Sequence, residues 1–261
     1  MRIRICGGSV PGARDKNDDH FCIGTQVSQE KLLSDAFDSS YRVFHNQGFM
    51  AAVADGMGSY AGGALASRTM LESLAADFQK QTRGDLEARL TAAIKSATKR
   101  LQKVLKKEKC KEAGTTLAGV VLQAPDQGIV FHIGDSRVVR FTEGGLRGLT
   151  IDHTPVGEDL AFGRTTVEEA VQRRDAFQLT RSLGLIGDTR VEFRPITFSP
   201  GDRFLMMTDG VCSPGRGLDA PTILEFLDSA EEPELILDPM LWEAAERDGD
   251  NATLVMLQID P

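Results

Sequence analysis

Three apolar runs in this 261-residue chain stop in the same way, on an aspartate beside a glycine. Phe49-Met50-Ala51-Ala52-Val53-Ala54 runs into Asp55-Gly56, and Arg203-Phe204-Leu205-Met206-Met207-Thr208 into Asp209-Gly210. Gly128-Ile129-Val130-Phe131-His132-Ile133 runs into Gly134-Asp135-Ser136. Short apolar runs bounded by turn residues read as strands. A strand that ends on a carboxylate and then a glycine delivers an acidic side chain to the rim of a sheet. It also leaves a backbone carbonyl free to turn inward. Hard divalent cations require several such oxygens in one place.

Taken singly, an Asp-Gly pair is ordinary turn chemistry. The Asp18-Asp19 pair alone reads as a solvated loop, and Arg14 alone as a surface residue. In order, however, Asp18, Asp19, Asp55, Asp135, Asp209 and Asp250 each lie near a strand end or in a glycine-bearing turn. If the sheet edges meet, these carboxylates share a cleft where they cannot all ionise without cations.

Between the aspartates the pattern alternates in blocks. Residues 2–6 and 20–26 read as strands, 41–45 and 49–54 as a hairpin, and 27–40 as a loop or short helical insert. From Ala64 the period changes to that of a helix. A second, longer amphipathic helix starts near Asp85, with Gly84 between them. Strands follow over 115–123, 129–134 and 138–142 as a meander, and 191–198 is expected to pair with 203–208. Residues 167–174, 221–229 and 239–247 read as helices and 252–259 as the last strand. Strands, two helices, strands, then helices and a strand make an α+β chain, with two sheets packed on each other and paired helices outside.

The formal net charge of −8 argues against a non-specific nucleic-acid or anionic-membrane binder. Cys6, Cys22, Cys110 and Cys212 form no CxxC pair and read as free thiols in a reducing compartment. The first residues are too weakly apolar for a signal peptide, and no run approaches a membrane span, so a cytoplasmic location is expected. The basic run from Lys95 through Lys99, Arg100, Lys103, Lys106, Lys107, Lys109 and Lys111 reads as a solvated helix face; a docking surface for an acidic partner is the other reading. His132, inside an apolar strand, reads as a core histidine.

The motifs together resemble the metal-dependent protein phosphatases of the PPM type, the protein phosphatase 2C family. Arg14-Asp15-Lys16-Asn17-Asp18-Asp19 resembles that family's Arg-x-x-Asn-Glu-Asp. Val53-Ala54-Asp55-Gly56-Met57-Gly58 followed by Ala66-Ser67 resembles its Val-Ala-Asp-Gly-Met-Gly segment leading into a helix. Ala113-Gly114-Thr115-Thr116, Gly134-Asp135-Ser136-Arg137, Leu149-Thr150-Ile151-Asp152-His153, Leu179-Thr180-Arg181-Ser182-Leu183-Gly184, Thr208-Asp209-Gly210 and Asp250-Asn251-Ala252-Thr253 follow in family order, covering nearly the whole chain. Asp18 stands where the family has Glu, Ser59 where Gly is frequent and Ala64 where Glu is frequent.

The resemblance implies a single phosphatase domain over 1–261, an α-β-β-α sandwich of two antiparallel sheets flanked by helix pairs. It implies two Mn²⁺ or Mg²⁺ ions at one end, bridged by Asp55, with the Gly56 carbonyl, Asp19, Asp209 and Asp250 as further ligands. A third ion would sit at Asp135 with Asp209. Asp18 is one methylene shorter than Glu, so either a water fills the gap or the residue supports the ligands from behind. Arg14 would grip the substrate phosphate through its planar fork, and residues 154–178 would form a flap beside the cleft. The implied activity is hydrolysis of phosphoserine and phosphothreonine in proteins, opposing a Hanks-type kinase, by a monomer. The alternative is a catalytically silent, phosphoprotein-binding module of the same fold. Its discriminator is loss of the Asp ligands, and Asp19, Asp55, Asp209 and Asp250 all stand.

Overall fold

The computed structural model describes residues 1–58, 62–184, 188–229 and 232–260. Ser59 falls outside them. The chain opens with β1 (Arg2–Val10), β2 (His20–Ile23), β3 (Gln26–Ser28), β4 (Leu33–Asp38), the short helix α1 (Arg42–Asn46), β5 (Phe49–Ala54) and β6 (Gly56–Met57). Helices α2 (Gly62–Lys80) and α3 (Leu86–Lys107) follow. Then come β7 (Gly114–Thr115), β8 (Leu117–Gln123), β9 (Gln127–Ile133), β10 (Arg137–Thr142), β11 (Gly145–Gly148), α4 (Pro155–Ala161) and α5 (Val167–Ala170). The last third holds β12 (Leu183–Gly184), β13 (Glu192–Thr197), β14 (Arg203–Met207), β15 (Cys212–Ser213), β16 (Arg216–Gly217), α6 (Ala220–Ser229), α7 (Pro233–Asp248) and β17 (Ala252–Asp260).

Two six-stranded antiparallel sheets result, ordered β11-β10-β14-β17-β1-β4 and β13-β9-β8-β5-β2-β3. Strand β5 shows why its sequence is apolar throughout. Ala51 and Val53 join the core between the sheets with Phe21, Val120, Phe204 and Leu257. Met50, Ala52 and Ala54 face the other way, into the core beneath α2 and α3. A strand covered on both faces has no solvent side to carry polar residues. Strand β17 does the same in the second sheet: Val255 and Leu257 point between the sheets, Leu254 and Met256 toward the layer that holds α6 and α7. The architecture is the expected α-β-β-α sandwich.

The helix pair α2/α3 is built as its periodicity requires. The Asp85 carboxylate accepts from the Ala88 N–H at 2.8 Å and caps α3. Leu90, Ile94, Ala97, Leu101 and Leu105 then pack with Met70, Leu71, Leu74 and Phe78 of α2. Leu101 is fully buried, so Leu101→Ala would cost about 2–5 kcal/mol.

Four local expectations are corrected. Residues 42–46 form a turn of helix rather than a hairpin strand, because one helical turn is enough to drop Phe44 between the sheets, against Phe37 and Phe198. Residues 33–38 form an edge strand on β1; its mostly exposed face leaves no apolar run to read. The meander is split: β8 pairs with β9, but β10 pairs with β14 in the other sheet. Likewise β13 pairs with β9, not with β14. Hydrophobic period identifies strands, not partners. These two corrections matter for function, because Gly134-Asp135-Ser136 is a crossing between sheets. Residues 154–178 hold α4 and α5, capped by Thr154 and Thr166, over a small cluster of Val156, Ala170 and Ala176.

Candidate metal and phosphate site

The aspartates converge where the chain passes between sheets. His20 and Ala54 are the last paired residues of β2 and β5 at this end, so Asp19 and Asp55 stand opposite each other one step further on. Asp209 follows β14, and Asp250 precedes β17, which pairs with β14. The turn through Gly249 (φ 80°) that closes α7 delivers Asp250. Carboxylate oxygens of Asp55, Asp135 and Asp209 lie within 4.8 Å of one another. Arg14, Asp18, Asp19, Asp55, Gly56, Met57, Asp209 and Asp250 line a cleft of about 550 Å³. No serine, cysteine or histidine is among its described lining residues.

Asp19 is 1% exposed. The hydroxyls of Thr208 and Thr253 both donate to its Oδ2, at 2.8 and 2.7 Å. Behind them Asn17 Nδ2 donates to Ser9 Oγ, and Ser9 Oγ lies 2.6 Å from the Thr253 hydroxyl. One oxygen of Asp19 is thus fixed from behind, while Oδ1 is buried with no hydrogen-bond partner. Burial pushes the Asp19 carboxyl up to about 8. Burial, then repulsion from Asp19, Asp209, Asp135 and Asp250, holds Asp55 well above the usual carboxylate range. Burial, then Asp209 and Asp152, does the same for Asp135. Asp209 is raised to about 6 by burial and by Asp250. A buried all-oxygen donor set with an orphaned carboxylate oxygen fits hard divalent cations.

The loops that carry these groups are tied together. Thr116 Oγ1 accepts from the Asp55 N–H at 2.9 Å and lies 2.6 Å from Ser136 Oγ, linking the Asp55 and Asp135 turns. His153 Nδ1 accepts from the Gly134 N–H, and His132 Nε2 bonds the Gly134 carbonyl. Gly134 has φ +103° and lies against Thr116, so no side chain fits there. His132, His153 and Glu192 form a second close group. Its rings are spent on Gly134, and burial lowers His132 to about 4, so it is a neutral bracket for the Asp135 turn.

Asp18 lines the cleft, but its Oδ1 accepts from the Ala64 N–H at 3.2 Å, in the first turn of α2. Its carboxylate also packs against Gly63, where a Cβ would lie 2.7 Å from Oδ2. The positive end of α2 suits a carboxylate there. Gly56 sits equally close, with room for no Cβ against the Gly63 carbonyl. Asn251 rivets the Arg14–Asp18 loop: its Nδ2 donates to the Pro11 and Lys16 carbonyls, and its Oδ1 accepts from the Asp18 N–H. Arg14 projects over the cleft, 62% exposed, with Nη2 donating to Asp250 Oδ2 at 2.6 Å. Thr116, Ser136 and Asn251 lie in the motifs, which assign them no role, and Ser9 lies in none. The available signal is a polar residue inside a buried stretch, as Ser9 is in β1.

Residues 24–256 match the protein phosphatase 2C family. The chain is 34% identical over 217 residues to the serine/threonine protein phosphatase PstP of Mycobacterium tuberculosis, which covers 80% of this chain and 40% of that protein. It is 29% identical over 239 residues to a putative protein phosphatase 2C-type of Streptococcus pyogenes, covering 90% of this chain and 94% of that one. The chain therefore spans well under half the length of the mycobacterial relative and nearly all of the streptococcal one. The solved catalytic domain of PstP in complex with two manganese ions superposes with a TM-score of 0.77 at 26% identity, over 100% of both chains. On sequence, fold and order of motifs, this chain belongs to the protein phosphatase 2C family.

Proposed function

We propose that this chain hydrolyses phosphoserine and phosphothreonine in proteins and is a single phosphatase domain over 1–261. The observation that carries the reading is the close group of Asp55, Asp135 and Asp209, with Asp19 beside Asp55 and its buried Oδ1 without a hydrogen-bond partner among the described residues. Asp19, Asp55, the Gly56 carbonyl, Asp209 and Asp250 would hold two Mn²⁺ or Mg²⁺ ions, and Asp135 with Asp209 a third. When bound, such ions neutralise the carboxylates, acidify a water into a nucleophile and polarise the phosphoryl group.

The chain's own residues do the rest. Thr208 and Thr253 hold one Asp19 oxygen, so the other stays aimed at the cleft. Asp18 anchors the Arg14 loop to α2 and supports the ligands from behind. Arg14, already over the cleft on Asp250, turns its free donors to the phosphate and fixes its orientation. The absence of a hydroxyl, thiol or imidazole among the described lining residues favours direct attack by water over a phosphoserine, phosphocysteine or phosphohistidine intermediate.

The substrates would be proteins phosphorylated by a Hanks-type kinase, and the protein a cytoplasmic monomer. No described helix is long and apolar enough to cross a membrane. The test is a metal titration on a phosphothreonine peptide. Protein stripped with EDTA should be inactive and recover with Mn²⁺; full turnover by the stripped protein would sink the reading.

A further inference from the structure

Helix α3 carries a charge pattern that neither its own stability nor the cleft requires. Lys95, Lys99, Lys103, Lys106 and Lys107 lie exposed on its solvent face, in a chain whose net charge is −8. Lys95, Lys99, Lys103 and Lys107 follow at four-residue steps, each about 6 Å along the helix from the next. Like charges at that spacing weaken a helix. The helix dipole favours cations only in the last turn, which accounts for Lys106 and Lys107 but not for the other three. Glu87 is the one acidic residue in α3. Among the described residues, Lys107 pairs with Glu108 and Arg100 with Asp77, while Lys95, Lys99, Lys103 and Lys106 have no carboxylate partner.

The chain leads from the end of the stripe to the cleft. Beyond α3 the chain reaches Ala113, which packs so closely on Gly58 that a Cβ there would sit 2.9 Å from the Ala113 Cα. Gly114 then pairs with Met57, and Met57 and Gly58 line the cleft.

We infer that the α3 stripe docks an acidic segment of the polypeptide whose phosphorylated residue enters the cleft. The preferred substrates are then phosphoproteins with clustered Asp or Glu beside the phosphoserine or phosphothreonine, an inference that rests on the phosphatase reading above. From Lys95 to Lys107 the stripe is about 18 Å long, which an extended segment of about six residues covers. An anionic membrane fits less well. A helix lying on a bilayer sinks an apolar face into it, whereas the apolar face of α3 is packed with α2 and no exposed large apolar side chain lies on α3.

The test compares wild type with a Lys95→Gln/Lys99→Gln/Lys103→Gln/Lys106→Gln variant, whose substitutions keep helix propensity. Fluorescence anisotropy with an unphosphorylated Glu-rich peptide reads docking without catalysis. Binding should weaken roughly ten-fold in the variant and with added salt. The variant's kcat/KM on an acidic-flanked phosphothreonine peptide should fall by a similar factor through KM, with p-nitrophenyl phosphate turnover and Tm unchanged. Equal binding of acidic and neutral peptides, or unchanged binding in the variant, overturns the docking site. Lysine-dependent binding to phosphatidylglycerol vesicles without peptide binding overturns it in favour of a membrane. No turnover of any phosphoester, with the peptide still bound through the lysines, removes the phosphatase reading and leaves acidic-segment docking standing.

Discussion

Asp19 and Asp55 face each other one step beyond the His20–Ala54 pair of β2 and β5, and burial raises both carboxyls. Among the described residues no arginine or lysine forms an ion pair with either; Arg14 pairs with Asp250 at the rim. Such a pair is unfavourable for the fold alone and favourable once cations are bound.

Asp55→Asn separates these two effects. It removes one charge from the crowded cluster and one ligand from the proposed ions. The metal-free Tm at pH 8 should rise, while kcat on p-nitrophenyl phosphate falls by roughly 100-fold or more. A variant with near wild-type turnover would show that the site is misplaced.

The same crowding sets a pH dependence. Asp19 is raised to about 8 and Asp209 to about 6, against about 3.9 for an unfolded aspartate. The metal-free folded state therefore keeps protons that the unfolded chain has released. That stability is fully present below about pH 4 and is lost as pH rises through about 6 and then about 8. The Tm of EDTA-treated protein should fall from pH 5 to pH 9, and saturating Mn²⁺ should flatten the fall. A Tm in EDTA that holds level or rises over this range would contradict the picture.

Most of this was legible in the sequence where one residue type had one job. The apolar runs ending on Asp55 and Asp209 predicted strands because a strand buried on both faces has no polar alternation to confuse it. Asp85 announced the start of α3 because a cap is a local interaction. The pairing of β10 with β14 was not legible, since which sheet a strand joins depends on the whole packing. Nor was the position of the Asp18 carboxylate on Ala64, which is set by how closely Gly56 and Gly63 approach. Motif order placed Asp18 at the site, and only packing distinguishes a ligand from a support.

That distinction is testable at Asp18. Asn keeps the acceptor for the Ala64 N–H and removes the charge. Asp18→Asn should keep the number of bound Mn²⁺ ions and raise the Mn²⁺ concentration for half-maximal activity by about ten-fold, as expected of a group that supports ligands without binding an ion itself. Asp18→Ala should cost about 1 kcal/mol of stability, the worth of a helix N-terminal acceptor. Loss of one bound Mn²⁺ ion from the stoichiometry of the Asn variant would instead make Asp18 a direct ligand.

Arg14 gives the sharpest test of substrate binding. Its guanidinium is anchored at one nitrogen by Asp250 Oδ2 and is otherwise open to solvent over the cleft. The Asp250 carboxylate is the first cause that raises its pKa, so it stays charged. An arginine held at one edge presents its remaining donors as a preset fork. Arg14→Ala should lower kcat/KM roughly 10- to 150-fold, mainly through KM, since a charge-assisted hydrogen-bonding group is lost. Mn²⁺ affinity should hold, because Arg donates no ligand. Lys at this position should restore only part of the loss, since an ammonium keeps the charge without the planar fork. Steady-state kinetics with Mn²⁺ titration on both variants decides it. Unchanged KM and kcat in both would reduce the Arg14–Asp250 contact to a surface ion pair worth little.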